Sequence, residues 1–266
     1  MNLFVLLKLA PDTVEELTVG GDGLSLDQEF LRFKLGDPDE HALEQALLLK
    51  EAHGGSVTVA ALDVAEVQDA LFTALAKGAD RAVQLTGADL PLLSGPSAAR
   101  IYADFLKPEG RRLPPDTLVL LRSQAIDELD GEIAPMVAEL LGLPYLGVVT
   151  GVRPEGANLI VTKEYAGGLR GEFVTAPPAV LGVQSATRPP RYVPIAKVRA
   201  AMKSARIETL EVAAPATRGK AVVRRLFKPE TTGRAQMLDG TPETVAESLC
   251  RLFAEHGFTT GGNARG

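Results

Sequence analysis

The sequence predicts an α/β fold: a mostly parallel, doubly wound sheet with a β-rich addition and an extended C-terminal tail. Three observations carry that reading. Short continuous apolar runs recur (LFVLLKL at 3–9, SVTVAAL at 56–62, RAVQLTG at 81–87, TLVLLRS at 117–123), as strands buried on both faces require. Segments of helical period separate these runs as far as residue 145. Beyond 145 the pattern turns to β-like alternation, and from about 187 it becomes rich in Pro and Arg. Sheets of this kind have right-handed crossovers and hold ligands beyond the carboxyl ends of their strands.

Each element has a local reason. The run Leu3–Leu7 has no basic segment before it and no small-residue cleavage site after it, so it reads as a core strand rather than a secretory signal. VEELTVGGDGLSLDQEFLRFKL (14–35) alternates about a Gly-Gly-Asp-Gly turn and reads as a hairpin excursion. A helix follows, with Asp37 as cap, Pro38 at the first position and Glu40 three residues past the cap. Ala42, Leu43, Ala46, Leu47 and Lys50 share one face of it, and Gly54 closes it. Further helices are expected at 65–78, ended by Gly78, and at 95–110, stopped by Pro108 and Gly110. A fourth is expected at 131–143. Residues 145–186 read as strands with turns at 153–158 and 166–171, and 208–240 as extended or irregular chain. TPETVAESLCRLFAEHG (241–257) is a helix capped by Thr241 with Pro242 at its first position. The terminal TTGGNARG is expected to fray.

The chain has 266 residues, 45% hydrophobic and 23% charged, enough for a sizeable core. A net charge of -6 gives no global basic face for nucleic acid. The single cysteine, Cys250, excludes an internal disulfide and any multi-cysteine metal site; it reads as a half-buried helix residue. His41, His53 and His256 are scattered without an HExxH pattern, so no metal site is expected. No apolar stretch approaches the roughly 20 residues of a membrane span, and a cytoplasmic protein is the expectation.

The informative stretch is the turn after the run at 117–123, which carries Asp127, Glu128, Asp130 and Glu132. Neither GxGxxG nor GxxxxGK[ST] is present, and no GxSxG or Ser/His/Asp set stands out. No base or nucleophile accompanies the carboxylates, which argues against acid–base catalysis. Pro135 forces the helix to begin just before it, so Gly131 lies near the cap. The amides of Glu132, Ile133 and Ala134 are then expected to be free, and free first-turn amides bind phosphate without basic side chains. A plain capped helix is the other reading of the same residues.

Several strings, in order along most of the chain, resemble the beta subunit of electron transfer flavoproteins. They are KLAPDT (8–13), DPDEHALEQALLLKE (37–51), ALFTALAKGADRAV (70–83), LVLLRSQAIDELDGEIAPMVAELLGLP (118–144), APPAVLGVQSATRPPRYVPIAKVRAAMKSARIE (176–208) and the tail from Leu226. The resemblance implies a sheet of the adenine-nucleotide-binding, HUP/Rossmann-like kind. It implies an electron carrier rather than an enzyme, paired with an electron transfer flavoprotein alpha subunit that holds most of an FAD. Electrons would come from flavin dehydrogenases, such as acyl-CoA dehydrogenases, and pass to a quinone-reducing or similar acceptor.

AMP in the crevice is also implied, held by main chain at Leu6, at Gly36, Asp37, Pro38 and Asp39, at Leu62, and through 122–133. That last segment comprises Arg122, Ser123, Gln124, Ala125, Ile126, Asp127, Asp130, Gly131, Glu132 and Ile133, with Lys8, Asp12 and Ala134 completing the expected set. The loop 187–203 resembles the family's dehydrogenase-docking loop, with Arg191 and Tyr192 in its motif and Ile195 where an anchoring leucine falls. Residues 1–206 would form the nucleotide-binding domain and 207–266 an extension packed on the alpha subunit. The turn DGEIAP departs from both the plain-carrier and the flavin-bifurcating patterns, so a second FAD or an empty crevice stays open beside AMP. A stand-alone ATP-binding protein like the universal stress proteins, or an enzyme on an adenylated substrate, are the competing classes.

Overall fold

The structure, a computed structural model, describes residues 1–29, 31–87, 93–107, 112–128, 131–213, 223–229, 233, 235 and 237–258. Asp130 of the expected site and the terminal 259–266 lie outside them. Packing separates Met1–Leu226 from Phe227–Gly266.

In the first unit the strands are β1 (Asn2–Leu7), β2 (Ala10–Pro11), β3 (Phe33–Lys34), β4 (Ser56–Leu62), β5 (Arg81–Thr86), β6 (Thr117–Arg122), β7 (Tyr145–Glu155), β8 (Asn158–Glu164), β9 (Arg170–Thr175), β10 (Ala179–Val183) and β11 (Ile207–Glu211). The helices are α1 (Asp37–His53), α2 (Val67–Lys77), α3 (Gly95–Leu106), α4 (Ile133–Leu141) and α5 (Ile195–Ser204). A nine-stranded sheet runs β11-β5-β4-β1-β6-β10-β7-β8-β9. It is parallel from β11 to β7 and antiparallel through β8 and β9.

The period of two along each strand divides the core. Leu3, Val5 and Leu7 of β1 pack with Leu43, Leu47 and Leu71 of α1 and α2. Leu6 packs with Tyr102, Ile133 and Val137 of α3 and α4 on the other face. The apolar runs are therefore continuous because both faces of the sheet are covered. Tyr102 is fully buried and donates its hydroxyl to the Leu7 carbonyl at 2.7 Å, which fixes α3 at the carboxyl end of β1.

Four details depart from expectation. Gly36, not Asp37, is the residue that caps α1, in extended conformation without a side-chain cap bond; Asp37 is already helical. The segment expected as a docking loop at 187–203 is a loop only up to Pro194, which caps α5 ahead of a run of good helix formers. Residues 208–211, at the start of the stretch expected to be extended or irregular, are not loose chain but belong to β11, which joins the sheet beside β5. Buried β10 inserts between β6 and β7, a placement that local pattern does not specify.

The excursion after β2 is slight. Val19 bridges Leu26 about a turn in which Asp22 accepts from the amides of Leu24 and Ser25, and β3 returns to pair with β2.

The second unit contains α6 (Pro242–Glu255), whose Thr241 hydroxyl oxygen accepts from the Thr244 amide. No residue of α6 is buried, and Leu249 and Phe253 are exposed. Cys250, expected to be half-buried, is exposed for the same reason. No helix among the described residues is long and apolar enough to cross a membrane. No group of three or more His, Cys, Asp or Glu among them is placed to hold a metal ion.

Candidate functional site

The candidate site lies where the topology would put a ligand, at the switch point of the strand order beyond the carboxyl ends of β1 and β6 and between the starts of α1 and α4. Its centre is Arg122, the last residue of β6, with a side chain only 3% exposed. Nη1 donates to the Lys8 carbonyl at 2.6 Å and to Asp39 at 3.3 Å. Nη2 donates to Asp127 at 3.1 Å and to Glu128 at 3.2 Å. All four Nη hydrogens are therefore used within the chain. Nε is buried and has no acceptor among the described residues.

The neighbours complete the network. Lys8 pairs through Nζ with Asp127, and its amide donates to the fully buried Asp39 at 3.4 Å. Glu128 has its second carboxylate oxygen on the Ile133 amide at 2.6 Å, the first helical amide of α4. Of the three amides expected to be free for phosphate, that of Ile133 is thus taken by the chain's own acidic side chain. Two cations, Lys8 and Arg122, face three carboxylates, Asp39, Asp127 and Glu128.

The titration behaviour follows from burial. Desolvation raises the Asp39 carboxyl above its ordinary value, and Arg122 and the Lys8 amide offset this only in part. Glu128 is raised for the same first reason, against the opposing pull of the Ile133 amide and Arg122. Burial works against the charge of Arg122, but the three carboxylates outweigh it and hold its pKa above the ordinary guanidinium value.

Gly131 is needed for a different contact than expected. It adopts φ +61°, and a Cβ there would run into the Ser123 carbonyl oxygen. The close approach is chain on chain: the turn folds back on the end of β6, with the Gly131 amide on the Glu128 carbonyl at 3.1 Å. Gly131→Val is expected to destabilise the protein by about 1–3 kcal/mol through left-handed strain and this collision, whatever the crevice holds. Urea unfolding with AMP present and absent checks it.

The other expected site residues divide. Leu6 and Leu62 are buried at the ends of their strands, and Gly36, Asp37 and Pro38 open α1. Ser123 donates to the Gln184 side chain at 2.6 Å. Ala125 bridges Glu128 within the turn, Gln124 and Ile126 are exposed, and Ala134 is buried in α4. Glu132 lies against Gly95 at the start of α3. Asp12 is not part of the Arg122 network; it pairs with Lys34 and accepts from the Val14 amide in the β2–β3 ribbon.

The three docking residues are also divided. Tyr192 is 84% exposed and Ile195 67% exposed. Arg191 turns inward onto α1, where its guanidinium holds the buried Glu44 through Nε and Nη2 and pairs with Glu51 through Nη1. Its own amide donates to Glu44 at 3.0 Å. Just upstream, the amides of Ala186 and Thr187 donate to His41 Nδ1 and Gln45 Oε1. Sequence reasoning missed Glu44, His41 and Gln45. Their only signal is polar residues on a helix face otherwise given to the core.

The family model described as "Electron transfer flavoprotein domain" matches residues 24–215. Three relatives, each described as "Electron transfer flavoprotein subunit beta", are similar along much of the chain. The protein of Methylophilus methylotrophus is 28% identical, over 96% of this chain and 98% of its own. That of Clostridium acetobutylicum is 30% identical, over 96% and 99%. That of Syntrophomonas wolfei subsp. wolfei is 32% identical, over 79% and 80%.

Proposed function

The chain belongs to the electron transfer flavoprotein family, among its beta subunits, and from that premise we propose that it works as the beta chain of a heterodimer carrying electrons between proteins. The alpha subunit is its partner. FAD is bound between them, largely by the alpha chain, and supplies the electron-accepting and electron-donating chemistry. Donors are flavin dehydrogenases such as acyl-CoA dehydrogenases, and the acceptor is a quinone-reducing or similar protein.

The observation that supports this reading best is the construction of the segment 184–195. Four backbone and side-chain anchors from α1 hold its inner side, while Tyr192 and Ile195 stand exposed at its outer end. A rigidly presented aromatic and aliphatic pair, rather than a pocket with catalytic groups, is what a docking surface needs. The exposed Leu249 and Phe253 of α6, which its own unit leaves uncovered, suit burial against the alpha chain.

The same family membership implies AMP in the crevice. The residues at its phosphate end do not fit an added anion, so no role is derived through a nucleotide. The functional test is to mix the flavin-loaded heterodimer with an acyl-CoA dehydrogenase reduced by its own substrate. Rapid loss of the oxidised flavin band is expected. An unchanged flavin spectrum, repeated with other reduced flavin dehydrogenases, would count against the donor assignment.

A further inference from the structure

We propose that the phosphate end of the crevice is filled by the chain's own Glu128 carboxylate, so that the protein works without AMP or any other adenine nucleotide bound there. This rests on the electron-carrier reading and departs from what that family membership implies. Four observations carry it.

First, the Ile133 amide, one of the three at the start of α4 expected to face an anion, is occupied. Glu128 accepts from the Ile133 amide at 2.6 Å, a charge-assisted bond to the positive end of the helix. Second, the one guanidinium at the site has no Nη hydrogen left to give. Its four are on Lys8, Asp39, Asp127 and Glu128; only the buried Nε has no acceptor among the described residues. Third, Lys8, the other cation, is spent on Asp127. Fourth, Gly131 serves the approach of the turn to the Ser123 carbonyl, so its lack of a side chain is explained without a phosphate.

The charges lead to the same conclusion. An entering phosphate would bring negative charge to a site where three carboxylates already exceed two cations. To reach the Ile133 amide it would have to expel the Glu128 oxygen that holds it. Glu128, whose side chain is largely buried, would then be left beside a second anion. In this reading the acidic turn replaces the ligand: a carboxylate on the chain does at α4 what a bound phosphate would do.

The test uses the heterodimer with its alpha subunit. It is denatured, and the released FAD and AMP are quantified by chromatography from the same extract. The expected result is FAD without stoichiometric AMP. One AMP per heterodimer, or a second FAD, would overturn the proposal while leaving the electron-carrier reading intact. Absence of FAD from a chain that never associates with an alpha subunit would instead strike that reading.

Thermal unfolding of the same heterodimer gives a second arm. AMP in large excess is expected to leave the midpoint unchanged, whereas a ligand at about a hundred times its Kd raises it by several degrees. Glu128→Ala is expected to gain an AMP-dependent rise, and its failure to do so would mean that Glu128 is not the excluding group. Should that variant not fold, Glu128→Gln keeps an acceptor for the Ile133 amide while removing the charge. It is expected to show a smaller AMP-dependent rise, and no rise would likewise overturn the proposal.

Discussion

Arg122→Ala is expected to lower the stability of the protein by about 3–5 kcal/mol, a large share of the roughly 5–15 kcal/mol typical of a folded domain. The loss is mostly that of a buried carboxylate left without its counter-charge. Asp39 is fully buried and, among the described residues, retains the Lys8 amide alone as donor. Asp127 still has Lys8, and Glu128 still has the Ile133 amide. The cost should therefore be concentrated on Asp39, and Arg122→Met with Asp39→Asn should recover part of it in a double-mutant cycle.

The pH dependence of the variant follows from the direction of the Asp39 shift. In the folded protein that carboxyl is already raised by burial, with Arg122 pulling it back. Removing Arg122 raises it further. A group with a raised folded pKa costs nothing below its unfolded pKa. It costs progressively more as pH rises through its folded pKa, and a constant amount above that. The deficit of Arg122→Ala against the wild type should thus be largest at neutral pH and shrink on acidification. Urea unfolding at both conditions checks this, and a deficit that grows on acidification would contradict it.

Ile195→Ala is expected to slow electron entry from a reduced flavin dehydrogenase at least about tenfold at sub-saturating partner concentration, the scale of a docking hot spot. FAD content should not change, because Ile195 is exposed and contributes nothing to the core. Glu44→Ala is a positioning test of the same idea. It removes the buried carboxylate that holds both the guanidinium and the amide of Arg191. It should weaken partner affinity with less effect on the rate at saturation, since the exposed pair is intact but less firmly held, with the Ala186 and Thr187 anchors remaining. Stopped-flow traces over a range of dehydrogenase concentrations separate the two effects. Unaltered traces for Ile195→Ala would remove this surface from the account.

Much of the sheet was legible because both its faces are covered. Runs such as Leu3–Leu7 and Thr117–Arg122 have no polar face, and that is itself the signature of a buried parallel strand. Strand order was not legible in the same way. β10 and β11 pair with strands far away in sequence, and nothing in AVLGV or IETLE specifies which neighbour they join.

Pro135 and Gly131 pointed to the turn before α4, but the contacts within that turn depended on details beyond pattern. Of several carboxylates in one turn, only the folded backbone decides that Glu128 reaches the Ile133 amide and that Asp127 reaches Lys8. Gly131 illustrates the limit well. A glycine marks close approach, and sequence cannot say whether the approaching group is a ligand or the carbonyl of Ser123. Arg191 shows the same for a charged loop residue, which sequence places on a docking surface and the fold turns inward onto Glu44.

The most direct measurement for the central claim is the composition of the complex formed when this chain is co-expressed with an electron transfer flavoprotein alpha subunit. A one-to-one heterodimer containing one FAD is the result the electron-carrier account requires. A flavin-free chain that stays apart from the alpha subunit, alone or as a homodimer, would contradict it.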